Sequence, residues 1–482
     1  MKSVFTGFWP DGDDYADGII TDCTNLVPTV RGYAGAPSGV SAGVATLSNS
    51  CLGAALVTKL DTTQRLFAGT QTAVYELSGA SWVDRSRTAL YATAASGRWR
   101  FVQFGDSTVA TNAADTLQSS SSGAFADISG APKATCIDAA EGFVMVGNTS
   151  GDSHGTAPDR WKCCAFQDVT DWVESTATQC TTGRLVESPG PILATRRLGA
   201  NFVHYKAKAI FMGTYVGPPA VWQFTMIPGD IGTSSQESVV NIGPQHIFVG
   251  PDDLYTFDGT RPVSIGEGIR EWFFRDLNKT YRGNIIGTHD PLNTLVYFFY
   301  PSTASAAGVI DSTIAYNYRT NKWGHASYGI EASLEYSTGA ITYATLSNYF
   351  ASYAAISVSY DSPFWSAGSP VLAYIDTSHV LKTLTGDSAT SSLTTGLLGD
   401  DEAFSTVSRV RPKFLTAPTS ATLTNSYTNT AGSAETIDQT STLTTGKIDF
   451  MRSSRWHRFD YDFVGPVEIV GHDVIVAKDG TE

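Results

Sequence analysis

A short apolar strand ending in glycine recurs along this chain, and few architectures can use it. It reads Leu66-Phe67-Ala68-Gly69, Val144-Met145-Val146-Gly147, Ile210-Phe211-Met212-Gly213 and Ile247-Phe248-Val249-Gly250. A degenerate copy is Val109-Ala110-Thr111-Asn112, and Leu295-Val296-Tyr297-Phe298 is related. A second element recurs beside it: VYELSGASW (74–82), LYTFDGTRP (254–262) and AYNYRTNKW (315–323). Each alternates an aromatic strand with a two-residue turn, Ser78-Gly79, Asp258-Gly259 or Thr320-Asn321, where Gly or Asn supplies the backbone freedom a hairpin needs. Trp82 and Trp323 follow two of the turns, and Pro262 the third. In HIFVGPDDLYTFDG (246–259) both halves stand together as two strands joined at Gly250-Pro251. The spacing is irregular but clusters near the roughly 40–45 residues of a four-stranded propeller blade. A blade buries its faces only against its neighbours, so several must close into a ring.

These features predict a mainly β chain: a β-propeller of four-stranded blades with an extended N-terminal arm and a C-terminal β segment. At 482 residues the chain exceeds what one growing core supports. Charged residues make up only 16%, and Gly, Ser and Thr are abundant, which suits short strands and tight turns. Residues 51–400 are assigned to the propeller. Residues 1–50, rich in Gly and carrying Pro10, Pro28 and Pro37, read as an arm or platform that needs another surface. Residues 401–482 begin with a Thr- and Ser-rich stretch expected to be a long hairpin or projecting tip. They end in alternating strands that close the structure. The best helix candidate is 268–276.

The net charge of −14 argues against wrapping nucleic acid, whose affinity comes mainly from phosphate neutralisation. It is compatible with walls past which nucleic acid slides. Six cysteines, sparse for this length, form no CxxC pair and indicate neither a zinc site nor a disulfide framework. Adjacent Cys163 and Cys164 are expected to point to opposite faces of one strand. The N-terminus lacks a signal-peptide pattern, and no run approaches the roughly 18 apolar residues of a membrane span.

Three stretches together resemble the tail nozzle, or tail-hub, proteins of short-tailed bacteriophages, also called packaged-DNA stabilisation proteins. They are Thr24-Asn25-Leu26-Val27-Pro28-Thr29-Val30-Arg31-Gly32-Tyr33, HIFVGPDDLYTFDGTRPVSIGEGIREWFF (246–274), and Arg452-Ser453-Ser454-Arg455-Trp456-His457-Arg458-Phe459 before an alternating strand and Gly471. The resemblance implies a homohexameric ring of propeller subunits below the portal and adaptor, with tail fibres or spikes alongside. Such a ring extends the DNA channel of the virion tail, helps retain packaged DNA, and passes double-stranded DNA transiently and without sequence preference on ejection. It also implies assembly in the host cytoplasm, no enzymatic activity and no cofactor. The low-complexity region after 400 departs from the family as a reduced tip.

Read for chemistry, the residues point elsewhere than to catalysis. Asp11, Asp13, Asp14, Asp17 and Asp22 invite a calcium loop, but Tyr15 and Ala16 occupy positions needing an oxygen ligand and Gly. An acidic turn or a contact to a basic partner is the simpler reading. SVSYDSPFW (357–365) resembles an Asp-box turn only in part, since Pro363 replaces the Gly and Trp365 comes one residue early, and it reads as an ordinary turn. Asp252 and Asp253 suit a turn, and Glu267 and Glu271 a solvated helical face. No catalytic, cofactor-binding or metal residue is nominated. Arg409, Arg411, Lys413, Lys447, Arg452, Arg455, His457 and Arg458, interleaved with Trp456 and Phe459, are expected either to dock on an acidic neighbour or to touch nucleic acid. Two alternatives to the tail reading stand: a glycan-binding or glycan-cleaving propeller, of receptor-binding or depolymerase type, and a protein-interaction propeller.

Overall fold

The computed structural model describes residues 2–337, 352, 354 and 370–481. Seven antiparallel quartets follow one another: blade 1 (53–84), blade 2 (100–127), blade 3 (133–184), blade 4 (194–227), blade 5 (239–264), blade 6 (286–326), and blade 7, whose strands Ile330–Tyr336, Val371–Asp376 and Leu381–Gly386 are completed by Ser38–Ser41. The first strand of each blade neighbours the first strand of the next, and that of blade 7 returns to blade 1. The chain is therefore a closed β-propeller. Six blades are separate four-stranded sheets, and blade 6 is the start of a ten-stranded one.

The repeated glycine is a packing residue. At Gly69 a Cβ would lie 2.2 Å from the Trp99 ring, which packs against it from the start of blade 2 and donates its Nε1–H to Thr70 O at 2.7 Å. At Gly250 a Cβ would lie 2.4 Å from Tyr255. The apolar-glycine copies at 66, 109, 144 and 247, and the related strand at 295, are second strands of their blades. The copy at Ile210 differs: Ile210–Gly217 is the third strand of blade 4, and Asn201–Tyr205 is the second. Both middle strands of a blade are buried on two faces, so both read as continuous apolar runs. Blade 3 is lengthened by residues 164–181 between its last two strands. All six cysteines are buried and unbridged. Cys163 packs with Phe202 and Trp222 towards blade 4, and Cys164 with Val109 and Leu117 towards blade 2. The alternation is as expected, but both faces are interior.

The N-terminal segment finds its surface within its own chain. Ile19–Thr24 pairs with Thr390–Thr395, Tyr33–Gly35 with Leu26–Pro28 and with Glu468–Thr481, and Lys2–Val4 with the same C-terminal strand. Ser38–Ser41 runs along Leu381–Gly386 as the outer strand of blade 7, so a segment remote in sequence seals the ring. Prolines and glycines keep these strands short, yet their backbone groups still require partners.

The stretch after 400 contains the expected long hairpin, Ser420–Thr428 with Thr436–Thr442, but packed into a sheet rather than projecting as a loop. Ala403–Thr416, Ser420–Thr428, Thr436–Thr442 and Ile448–Ser454 join Thr390–Thr395, Trp456–Val464 and Glu468–Thr481 in two facing sheets, a β-sandwich. Ala421, Leu423, Phe459, Tyr461 and Phe463 of one sheet meet Val407, Val410, Ile448, Ile469 and Val474 of the other. Thr422 and Thr424 take the alternate outward positions, where Thr fits a pleated surface. Residues 390–399 belong to this sandwich, and the last propeller strand ends at Gly386.

Candidate functional site at the joint between propeller and sandwich

Blade 6 and the sandwich share one sheet: its outer strand Lys322–Ala326 pairs with Leu26–Pro28 at His325 and Leu26. Around this seam the side chains are fixed from both sides. The Tyr33 hydroxyl donates to Trp323 O at 2.9 Å and accepts from Phe8 N at 2.7 Å, and burial pushes the phenol well above its usual range. Trp323 Nε1 donates to Ile265 O at 3.0 Å, and the Lys322 ammonium to Phe5 O at 3.1 Å. His325 is held between Cys23 O at 2.9 Å and the Ser312 hydroxyl at 3.0 Å. Trp272 stands edge-on to Phe8 and to His325, with centroids 5.4 and 5.2 Å apart.

The helix expected near 268–276 is present as Arg270–Asp276, and its N-terminal donors are capped from far away. Asp11 accepts from Glu271 N at 2.6 Å and Trp272 N at 2.8 Å, while its own N–H donates to Gly268 O at 3.0 Å. The acidic N-terminal cluster is thus dispersed: Asp13 accepts from Tyr15 N, Asp14 pairs with Arg458, and Asp17 accepts from Ser3. Among the described residues no group of three His, Cys, Asp or Glu could hold a metal ion. Asp252 accepts from Tyr255, and Asp253 from Leu254 N and Ser264, as turn residues do. Glu267 and Glu271 are exposed. The Asp-box resemblance at 357–365 lies outside the described residues.

The late basic residues meet acids of the same chain. Arg409 and Lys447 pair with Asp449, Lys413 with Asp473, Arg452 with Asp438, and Arg458 with Asp14 and Glu435. Arg452 also lies over Tyr427, 4.0 Å from the ring centroid, and Arg455 over Phe404 at 5.2 Å. Trp456, His457 and Phe459 are buried, so they offer no stacking platform to a base.

An arginine cluster unforeseen in the sequence lies on the propeller axis. Arg98 and Arg100 of blade 2, Arg196 of blade 4 and Glu237 of blade 5 line a cavity of about 210 Å³. Arg100 donates to Glu237 at 2.8 Å and to Thr135 O at 2.5 Å; Arg98 donates to Glu331 O at 2.8 Å, and Arg196 to Gln236 O at 3.0 Å. Burial alone would raise the Glu237 carboxyl, but Arg100, Arg98 and Arg196 hold it below its usual range. This network ties non-adjacent blades together. The space is far too small for a duplex, whose major groove alone is about 12 Å wide. The alternation Arg98-Trp99-Arg100 leading into the first strand of blade 2 was the available signal.

No family model matches the chain, and no curated protein does. Solved structures with some likeness include YCF48 bound to a D1 peptide (12% identity, covering 62% of this chain and 86% of that one, TM-score 0.34). Others are the N-terminal domain of Nup159 (9%, 68% and 74%, TM-score 0.28) and an exo-β-1,3-galactanase from Phanerochaete chrysosporium (9%, 90% and 100%, TM-score 0.24). At these values the likenesses carry no argument, and the propeller rests on the sheet topology above. No helix among the described residues is long and apolar enough to cross a membrane.

Proposed function

We propose that this chain is a structural, ring-forming subunit of a short phage tail, extending the DNA channel below portal and adaptor. One observation carries the reading. The three stretches that resemble the nozzle proteins are distant in sequence, yet all contribute to one continuous core at the joint. Leu26 and Tyr33 come from the first, Ile247, Leu254, Ile269 and Phe273 from the second, and Phe459 from the third. They are the residues that weld propeller to sandwich, as a subunit whose contribution is its shape requires.

The reading also says where DNA would run. The axial space of the propeller is occupied by the arginine–glutamate network, so the conduit lies between subunits rather than through one. A net charge of −14 would keep phosphates from adhering there, provided many acids line it, because each acts over a Debye length of only about 8 Å. Virions assembled without this chain should fail to hold their genome and lose infectivity. Fully infectious particles that keep their DNA would rule the reading out.

A single feature favours the glycan alternative. Phe166 and Tyr215, 43% and 39% exposed, flank Phe143 at centroid distances of 5.3 and 5.7 Å and form an open aromatic surface on blades 3 and 4. Binding on a glycan array that is lost in Phe166→Ala, or release of reducing ends from host polysaccharide, would transfer the assignment to that class.

A further inference from the structure

The two outer faces of the sandwich carry opposite charge. Strands Ala403–Thr416, Glu468–Thr481, Ile448–Ser454 and Lys2–Val4 form one face, and their inward positions are filled by Val407, Val410, Val474 and Ile448. Outward stand Arg409, Arg411 and Lys413 on the first strand, with Lys447 and Lys2 beside them. Among the described residues Asp449, Asp473 and Glu468 oppose these five cations on that face, which leaves it in positive excess. Exposed Ile475 and Met451 lie among them, 45% and 79% accessible. In a chain of charge −14, a sheet face with excess positive charge and interspersed apolar side chains is a local exception.

The opposite sheet presents the complement. Its outward rows run from Asp22 through Thr394 to Asp460 and Thr424, and from Thr24 through Ser392 to Asp462 and Thr422. The cation closest to these acids in register, Arg458, is already committed to Asp14 and Glu435. Burial, with Asp462 and Asp22 adding repulsion, pushes the Asp460 carboxyl above its usual range despite Thr394 and Arg458. Among the described residues these three carboxylates form no ion pair, and Thr and Ser stand beside them in the same rows.

We propose that these faces are the two halves of a head-to-tail contact between copies of this chain: the basic face of one sandwich docks on the acidic face of the next. The proposal rests on the reading of the chain as a ring subunit and assigns the surface that builds the ring. Because the halves are different patches on opposite sides of one domain, the contact is heterologous, and such a contact closes into a ring when its rotation permits. The charge match sets register and partner, and the interspersed Ile475 and Met451 supply apolar area.

Sedimentation velocity at low and high salt tests this with charge reversals confined to exposed positions. The native chain should assemble at low salt and weaken as salt rises. Arg411→Glu/Lys413→Glu has two acidic faces and Asp22→Lys/Asp462→Lys two basic ones, so each alone should lose association by about tenfold or more. An equimolar mixture of the two should assemble again, as should a single chain carrying all four substitutions, which also shows that the variants fold. Native-like assembly by each variant alone overturns the surface assignment and leaves the ring reading standing. A native chain that stays monomeric in every condition sinks the ring reading itself. Loss of binding to double-stranded DNA in Arg411→Glu/Lys413→Glu, with assembly unchanged, makes the basic face a nucleic-acid surface and also overturns the proposal.

Discussion

Removing the Asp11 carboxylate would strip Glu271 N and Trp272 N of their acceptor and free the N-terminal segment from the helix it caps. Asp11→Ala should cost about 1 kcal/mol in a denaturant titration, as helix caps do, and an unchanged midpoint would refute the role. At Gly69 the added methyl of Gly69→Ala meets Trp99 with no space to move into, and a loss of about 1–3 kcal/mol is expected from overpacking. The buried histidines give the pH dependence. Burial lowers His204 to about 3 and His246 and His472 to about 4. His246 is buried with the Tyr205 hydroxyl at Nδ1 and Arg197 O at Nε2, each at 2.8 Å, and burial disfavours its second proton. An unfolded histidine titrates near about 6.5. Below that pH the unfolded chain takes up protons that the folded chain refuses, so stability is complete above it. It is then lost as pH falls towards the folded values, by about 1.4 kcal/mol per unit for each histidine. Thermal melts from neutral to mildly acidic pH should show this slope, and His246→Gln should flatten it. A slope unaffected by His246→Gln would contradict the assignment.

At the scale of elements, legibility followed burial on two sides. Middle blade strands such as His246–Val249 announce themselves by an apolar run, here Ile247 to Val249, and the Asp258-Gly259 turn fixes where the next strand begins. Ile210–Gly217 was legible as a strand but not as a third strand, since both middle positions impose the same composition. The helix at 270–276 was visible, whereas its cap was not, because Asp11 stands 259 residues before Arg270. The sandwich was obscured for a different reason: strand Ser420–Thr428 contributes only Ala421 and Leu423 to the apolar core, and its partners supply the bulk. The terminal segments illustrate the same limit, since pairing between Ile19–Thr24 and Thr390–Thr395 leaves no local trace. The arginines on the axis were equally hidden, because convergence there depends on ring closure. Deleting residues 2–41 removes the outer strand of blade 7 and five strands paired to or within the sandwich sheets. The truncated chain should aggregate or lose its near-ultraviolet dichroism. A soluble product with the native spectrum would contradict the closure described here.

For the whole molecule, a closed seven-bladed ring and a sandwich whose two outer faces differ in charge are joined by one continuous sheet. Such a body gains nothing from an internal passage, and its own axis is filled. On the proposed reading it contributes by standing next to copies of itself. The glycan reading needs only a monomer with an exposed aromatic surface, so position in an assembly separates the two more sharply than any binding constant. The most direct measurement is electron cryomicroscopy of virions in which this chain carries a compact C-terminal label. Six labels arranged in a ring around the DNA path, below the adaptor, is the result expected; labels confined to fibres or spikes, or virions that contain none of the chain, would contradict the account.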